Sequence, residues 1–358
     1  MNLGFDVSSA VDTQPTGVAR YIRLLVESME AHNSAPRLFC RPSRRRVADP
    51  SPCVGGRRVA SLGAIVPGCV PPLDIFHGLD GRLPRFGRRS VRRVVTVHDL
   101  SAFERDDHAT KKFLRRKRAR IHRAVLAADA VITHSQVVAD AIADRFEIPK
   151  DRCHAVPLAS TLAVPPSPAR EPSTTLGQLL VVGGPSRRKR SDRIGPLLEV
   201  LEHRFDLRPR VEWVGSGSAA EFQSLAATLP PATAERLHFL GHVSDAELAA
   251  CYDRADAFIQ LSDTEGFAIP LLEACERGCA VLSIDAPVLR ETCGSAGFYA
   301  KDLGDPGATE LHAFVRPEVR AERIARGHTH AAEFTWARTA RRTLEVYRSL
   351  FEPHSEPR

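Results

Sequence analysis

Short, uninterrupted apolar runs recur along this chain, each ending in turn residues and followed by a stretch whose apolar positions repeat at helical spacing. Leu3–Val7, Asp74–Gly78, Arg93–Leu100, Ala128–Ser135 and Cys153–Leu158 form one series of candidate strands. Gln178–Gly183, Arg210–Gly215, His238–Gly241, Ala257–Leu261 and Ala280–Ile284 form a second. Runs without polar alternation suit parallel strands covered on both faces rather than sheets with one wet face. Between them lie amphipathic helices: one through Tyr21, Leu24, Leu25 and Met29, one from Lys111 to Val125, one from Val137 to Phe146, and a last through Leu344, Val346, Tyr347 and Leu350. Strand and helix in alternation predict an α/β protein built on parallel sheets. The caps agree. Thr16 suits the N-cap of the first helix, and Ser244 with Glu247 forms a capping box.

The two series are separated by a stretch rich in proline and small residues, which reads as a linker at 161–176. This predicts a first domain at 1–160, a second at 177–335 and a final helix within 336–358. A chain of 358 residues is long enough for two cores, and 43% hydrophobic with 26% charged residues is the balance of a soluble globular protein. Met1–Asp6 enters a strand with no basic start, and the apolar stretch 64–75 is broken by Pro67, Pro71 and Pro72. Neither an export signal nor a membrane span is expected. The eight cysteines include no Cys-x-x-Cys, and Cys251, Cys275 and Cys279 fall inside apparent core elements, as structural thiols of a reducing cytosol would. Charge is uneven: residues 1–123 hold 24 Lys and Arg against 11 Asp and Glu, whereas the whole chain is only +7. Arginine far outnumbers lysine and alanine is abundant, a bias of GC-rich bacterial genomes.

The densest chemistry lies between Asp263 and Asp285. The strand Ala257–Leu261, a short loop, the helical run Pro270–Arg277, Gly278 at a left-handed C-terminal position and the strand Ala280–Ile284 make one βαβ unit. Gly266 would let the chain turn sharply and leave the amides of Gly266, Phe267 and Ala268 open at the positive end of the helix, a site for an anion such as a diphosphate. Glu265 stands just before that terminus and Glu273 about one turn inside it. A carboxylate beside an anion is favourable only if it binds donors, and sugar hydroxyls are suitable ones. One acid could hold a sugar ring and the other a ribose diol. An isolated acid at a helix start is more simply a solvated partner of the dipole; two acids around one terminus favour a ligand.

Glu265, Gly266-Phe267, Pro270, Glu273, Gly278, the apolar strand and Asp285 together resemble the signature of family 4 retaining glycosyltransferases. Cys275, Cys279 and Ala268 stand where that family often has Met, Pro and Gly. The resemblance implies the B fold, two Rossmann-like domains facing a cleft with a final helix crossing back to the first domain. It also implies roles. Thr16-Gly17-Val18-Ala19-Arg20-Tyr21 matches a loop facing the donor diphosphate, which makes Gly17 a donor-binding residue. His98-Asp99-Leu100-Ser101 matches a segment whose histidine faces the donor sugar, so His98 joins Glu265 as a catalytic candidate. Glu273 would hold the ribose. Lys189, with Arg188 before it, matches the diphosphate clamp. Gly184 occupies the place of a first family arginine, leaving Arg187 or Arg190 to replace it. Val243 falls in the loop that meets the nucleobase. His77 ends another strand and is a candidate on the acceptor side, although a lone histidine at a strand end is more often structural.

The expected activity is transfer of a hexose, mannose first, from a nucleotide diphosphate sugar such as GDP-mannose to a glycan or polyprenyl-diphosphate-linked acceptor in bacterial surface polysaccharide assembly. No metal or other cofactor is called for, and there is no Asp-x-Asp motif. Two other classes compete. Gly215-Ser216-Gly217-Ser218-Ala219-Ala220 hints at a dinucleotide turn and hence an oxidoreductase, but the next strand, ending at Gly241, lacks the acid that would hold a ribose. The basic first half suggests nucleic acid, but aromatic residues are only 6% and do not interleave with the basic runs. The basic helix beginning at Lys111 has two readings: it packs its narrow apolar stripe on the first domain and solvates its charges, or its basic face docks on anionic lipid, which would make the cytoplasmic protein peripheral at the inner face of the plasma membrane.

Overall fold

The computed structural model describes residues 1–11, 16–44, 54, 57–62, 72–84, 91–104, 110–165 and 173–352. The chain divides into two compact units, one made of residues 1–103, 111–161 and 335–358, the other of 104–110 and 162–334.

The first unit is built on a seven-stranded sheet ordered β3-β2-β1-β4-β5-β6-β7. Its strands are β1 (Leu3–Asp6), β2 (Arg37–Cys40), β3 (Val59–Ser61), β4 (Ile75–Gly78), β5 (Arg92–Thr96), β6 (Ala130–Thr133) and β7 (Cys153–Ala155). Every pairing is parallel. Three long helices serve as crossovers: α1 (Gly17–Ala31), α2 (Lys111–Ala127) and α3 (Gln136–Phe146). The Thr16 side chain caps α1 by accepting from the Ala19 amide at 3.2 Å. α2 buries only Leu114, Ile121, Ala124 and Val125, the narrow stripe its sequence offers.

The second unit carries a six-stranded parallel sheet ordered β10-β9-β8-β11-β12-β13. Its strands are β8 (Gln178–Val182), β9 (Arg210–Val214), β10 (Leu237–Gly241), β11 (Ala257–Gln260), β12 (Ala280–Ile284) and β13 (Gly297–Ala300). Its main helices are α4 (Ile194–Phe205), α5 (Ala219–Ala226), α6 (Asp245–Arg254), α7 (Ile269–Glu276), α8 (Pro287–Cys293) and α9 (Pro317–Ala331). The capping box at Ser244 forms as its spacing predicts. Gly278 is left-handed at φ +75°, closing α7.

Both sheets are doubly wound, so each has one place where the strand order reverses: between β1 and β4 in the first, between β8 and β11 in the second. Loops leaving the carboxyl ends of strands on either side of such a point diverge and open a crevice. Within the second unit, the described ends of the expected linker are held by two buried arginines. Arg277 donates to the carbonyls of Val164 and Pro165, and Arg320 to those of Ser173 and Thr175. The middle of the expected linker, 166–172, lies outside the described residues, as does the 12–15 part of the loop before α1.

The C-terminal helix, Trp336–Ser349, belongs to the first unit. Trp336 Nε1 donates to the Ser160 carbonyl and Thr339 Oγ1 to that of Pro157, each at 2.8 Å. Tyr347 reaches His77, whose Nδ1 lies 2.6 Å from the phenol while Nε2 meets Thr96 Oγ1 at 2.8 Å. This corrects the acceptor-side expectation for His77. The ring is fully buried with both nitrogens engaged, so it anchors the C-terminal helix and has no atom to offer an acceptor. Among the described residues, no helix is long and apolar enough to cross a membrane, and the described cysteines are all buried free thiols.

Candidate active site

In the second unit the loops after β8 and β11 leave the sheet at the strand-order reversal, and glycine packs the turn after β8 against the turn after β9. Gly183 and Gly215 have φ of +128° and +157°. A Cβ on Gly215 would lie 2.4 Å from the Gly183 carbonyl carbon, and one on Gly184 would lie 1.8 Å from the Ser216 oxygen. Two consequences follow. No arginine fits at position 184, where the family often has one, because the backbone of the β9 turn occupies that space. The glycines of Gly215-Ser216-Gly217 are explained by this turn-on-turn packing, which removes the reason for reading them as a dinucleotide fingerprint.

The packed turn delivers Lys189 to the loop after β11. Lys189 Nζ lies 2.6 Å from Glu265 Oε1, so two residues expected at one site from separate stretches meet there. Glu265 is further held by Gln260 Nε2 at 3.3 Å and by the Ser262 hydroxyl. Sequence reading missed both, although a glutamine ending an otherwise apolar strand was a visible signal. The arginines around them divide. Arg190 is committed to Asp192 at 2.9 Å and Asp263 at 3.5 Å, and Arg193, also missed, to Asp263 at 2.8 Å and the Leu261 carbonyl at 2.6 Å. Those two brace the loop. Arg187 and Arg188 make no side-chain pair among the described residues, so their charge is available to a ligand.

The loop enters α7 by a left-handed residue, and this is Ala268 (φ 63°, ψ 62°) rather than Gly266. The expected sharp turn is therefore carried two residues later. Left-handed backbone disfavours an alanine by roughly 1 kcal/mol, a strain held in place by neighbours: Phe267 is buried, its carbonyl accepts from Thr292, and its ring lies 5.9 Å from that of Phe334. Among the described residues no acceptor meets the amides of Phe267 and Ala268. Two open donors at a helix start, next to a lysine, form an anion site. Inside α7, Glu273 is only 3% exposed and accepts from the Tyr252 phenol at 3.1 Å. Burial and the adjacent Glu273 push Tyr252 well above its usual pKa, so it stays a donor. Val243 lies half-buried between β10 and α6.

In the first unit, His98 follows β5. Its Nε2 lies 2.9 Å from the Leu79 carbonyl and its Nδ1 2.8 Å from His134 Nε2. Burial lowers the pKa of both rings, that of His134 to about 3, so both are neutral. The carbonyl requires the His98 proton on Nε2; Nδ1 then accepts from His134 Nε2–H, and the 3.2 Å contact from His134 Nδ1 to the Val156 carbonyl is left without a proton. Tyr21 packs edge-on to His98 at 5.0 Å. His98 thus has both nitrogens engaged within its own unit, and a contact with a donor sugar requires one of them to be released. Gly17 opens α1 with no heavy atom within 4 Å of where a Cβ would stand, so its lack of a side chain is not demanded by the protein interior. Among the described residues no group of three or more His, Cys, Asp or Glu is placed to hold a metal.

Two family models match this chain: Glycosyltransferase Family 4 over residues 15–159 and Glycosyl transferases group 1 over 177–307. The O-antigen chain mannosyltransferase B of Escherichia coli is 28% identical over 77% of this chain and 74% of its own. The serotype-specific mannosyltransferase WbdA of the same species is 31% identical over 34% of this chain, a match spanning 15% of that larger protein. Among solved structures, sucrose-phosphate synthase of Thermosynechococcus elongatus superposes with a TM-score of 0.71 at 18% identity, covering 98% of this chain and 99% of that one. WaaG, a glycosyltransferase involved in lipopolysaccharide biosynthesis, gives 0.68 at 14% identity, over 96% and 99% of the two chains. With one glycosyltransferase model on each parallel-sheet unit and the switch-point geometry between β8 and β11, the chain belongs to the family 4-like glycosyltransferases of the B fold.

Proposed function

We propose that this enzyme is a retaining hexosyltransferase that moves mannose from GDP-mannose to a glycan or polyprenyl-diphosphate-linked acceptor during bacterial surface polysaccharide assembly. The single observation that carries the donor site is the meeting of Lys189 and Glu265 at 2.6 Å beside the open amides of Phe267 and Ala268. The choice of mannose rests on similarity to enzymes described as mannosyltransferases.

In this reading the diphosphate sits on the α7 terminus, with Lys189 and Arg188 beside it. As the sugar–phosphate bond breaks, negative charge grows on the phosphate oxygens, and these fixed donors stabilise it without reorganising. Glu265, aligned by Gln260 and Ser262, receives the sugar hydroxyls; Glu273, aligned by Tyr252, receives the ribose; Val243 borders the base. Gly17 and His98 are the first unit's candidates toward the donor, and His98 takes that role only once Leu79 or His134 releases one of its ring nitrogens. The acceptor oxygen bonds to the anomeric carbon on the face the phosphate leaves, and its proton passes to a leaving phosphate oxygen. These steps use no metal and no other cofactor.

We further propose peripheral attachment to anionic membrane through the start of α2, where Lys111, Lys112 and Arg115 are exposed and Phe113 is 57% exposed beside them. This would bring the enzyme to a lipid-linked acceptor at the cytoplasmic face.

The test is a thermal-shift series with GDP, UDP, GDP-mannose and UDP-sugars, because a ligand specific to the folded state raises the melting temperature in proportion to RT ln(1 + [L]/Kd). GDP-mannose should give the largest shift, and transfer to an acceptor should yield an α-linked product by NMR. A larger shift with a UDP-sugar overturns the donor assignment; a β-linked product overturns retention.

A further inference from the structure

Five arginines, Arg82, Arg93, Arg116, Arg120 and Arg123, line a cavity of about 740 Å³ in the first unit, between α2 and the segment after β4. Leu83, Pro84, Ala124 and Ala127 complete the described wall. Arg116, Arg120 and Arg123 fall on one face of α2 by helical spacing, next to the stripe that buries Ile121 and Ala124. Opposite them stand Arg82, after β4, and Arg93, within β5.

These charges are poorly compensated. Arg93 approaches Asp129 at 3.5 Å and Arg120 approaches Asp80 at 3.8 Å, both long for ion pairs. Arg116 pairs with no carboxylate among the described residues, Arg82 makes no close ion pair there and feels Asp6 and Asp80 only at longer range, and Arg123 spends its Nε on the Ala119 carbonyl of its own helix. Arg120 Nε is buried and meets no acceptor among the described residues. Burial first, and then the neighbouring Arg120, pull Arg82 below the usual guanidinium range, against the opposing pull of Asp6 and Asp80.

We propose that this cavity is an anion site for a phosphomonoester or diphosphate group, separate from the donor site on α7. A concave wall of guanidinium forks matches several phosphate oxygens at once, which a flat basic surface does not. The same headgroup chemistry occurs on a membrane lipid and on a soluble phosphorylated sugar. The proposal rests on the glycosyltransferase reading only for its biological use, because the site itself is a property of the first unit.

The test is calorimetric titration of the full chain with inorganic pyrophosphate at about 0.15 M salt, where diffuse attraction is largely screened. Pyrophosphate will also visit the α7 terminus, so the titration is repeated in Lys189→Ala. Saturable binding should persist in Lys189→Ala and in the exposed-charge control Lys112→Gln/Arg115→Gln. It should weaken at least about tenfold in Arg116→Gln/Arg120→Gln, as expected when two charge-assisted contacts are lost, with melting temperatures confirming that each variant folds. Binding that disappears in Lys189→Ala, that falls equally in the two double variants, or that is absent throughout overturns the site. Competition then separates the sources. Displacement of pyrophosphate by phosphatidylcholine vesicles containing phosphatidic acid assigns the site to a membrane headgroup, and displacement by mannose 1-phosphate assigns it to a soluble ligand; either supports the site.

Discussion

At the scale of single residues, the proposed donor site is a small set of charges held by neighbours that do no chemistry. Lys189 and Glu265 were both legible as separate motifs, and their 2.6 Å contact is what the fold adds. The pair is partly exposed, so its own contribution to stability is modest. Lys189→Ala should therefore weaken nucleoside diphosphate binding by at least tenfold while leaving the melting temperature nearly unchanged. Glu265→Gln should reduce turnover by roughly 10²–10³, the usual effect of removing one preorganised polar contact, with little change in diphosphate affinity. Equal diphosphate affinity in Lys189→Ala and wild type, measured by calorimetry, would transfer the role to Arg187 or Arg188. Of the residues that aim these groups, Gln260 left a visible signal at the end of an apolar strand, whereas Arg193, Tyr252 and His134 act through partners distant in sequence and Ser262 is a common loop residue.

At the scale of elements, the turn after β8 shows how backbone packing dictates side-chain choice. Gly184 lies against the Ser216 carbonyl so closely that a methyl group has no room. Gly184→Ala should destabilise the protein by about 2 kcal/mol or more, within the range seen for overpacking and backbone strain, and should also lower activity by displacing Lys189. A denaturation midpoint equal to wild type would refute the packing account. The helix α7 carries a related lesson. Its glycine signature located the anion-facing terminus, but the left-handed residue is Ala268, and only backbone geometry distinguishes which of adjacent small residues makes the turn.

At the scale of the whole molecule, two properties depend on groups spread over many elements. His77 and His134 are both lowered to about 3 by burial. Below pH 6.5 the unfolded chain takes up their protons and the native state does not. Their stabilising effect is thus complete above pH 6.5 and is lost as pH falls toward 3, at about 1.4 kcal/mol per pH unit for each histidine. Melting temperatures between pH 7 and 5 should fall accordingly, and His77→Gln should flatten the profile; a wild-type profile flat over that window would contradict the buried neutral assignment. The second property is surface charge. If the start of α2 attaches to membrane, the protein should sediment with acidic vesicles at low salt, be released by ~0.5 M salt through screening, and lose sedimentation in Lys111→Glu/Lys112→Glu/Arg115→Glu. Equal sedimentation with neutral and acidic vesicles would remove the electrostatic attachment.

What this sequence determined by itself was local. Apolar period, caps at Thr16 and Ser244, and Gly278 after α7 specify strands, helices and their ends, because these depend on neighbours within a turn or two. Alternation of those elements implies parallel sheets, and the Glu265 to Glu273 signature identifies the chemistry. What only tertiary structure decided was which groups share a site and which are spent. His77 and His98 look alike in sequence, each ending a strand, yet His77 is consumed by Tyr347 from 270 residues away, while His98 leans on His134. The arginines of α2 read as one basic face, but strand order brings Arg82 and Arg93 opposite three of them and makes a cavity. Contacts of this kind join residues far apart along the chain, and no pattern within a single segment encodes them.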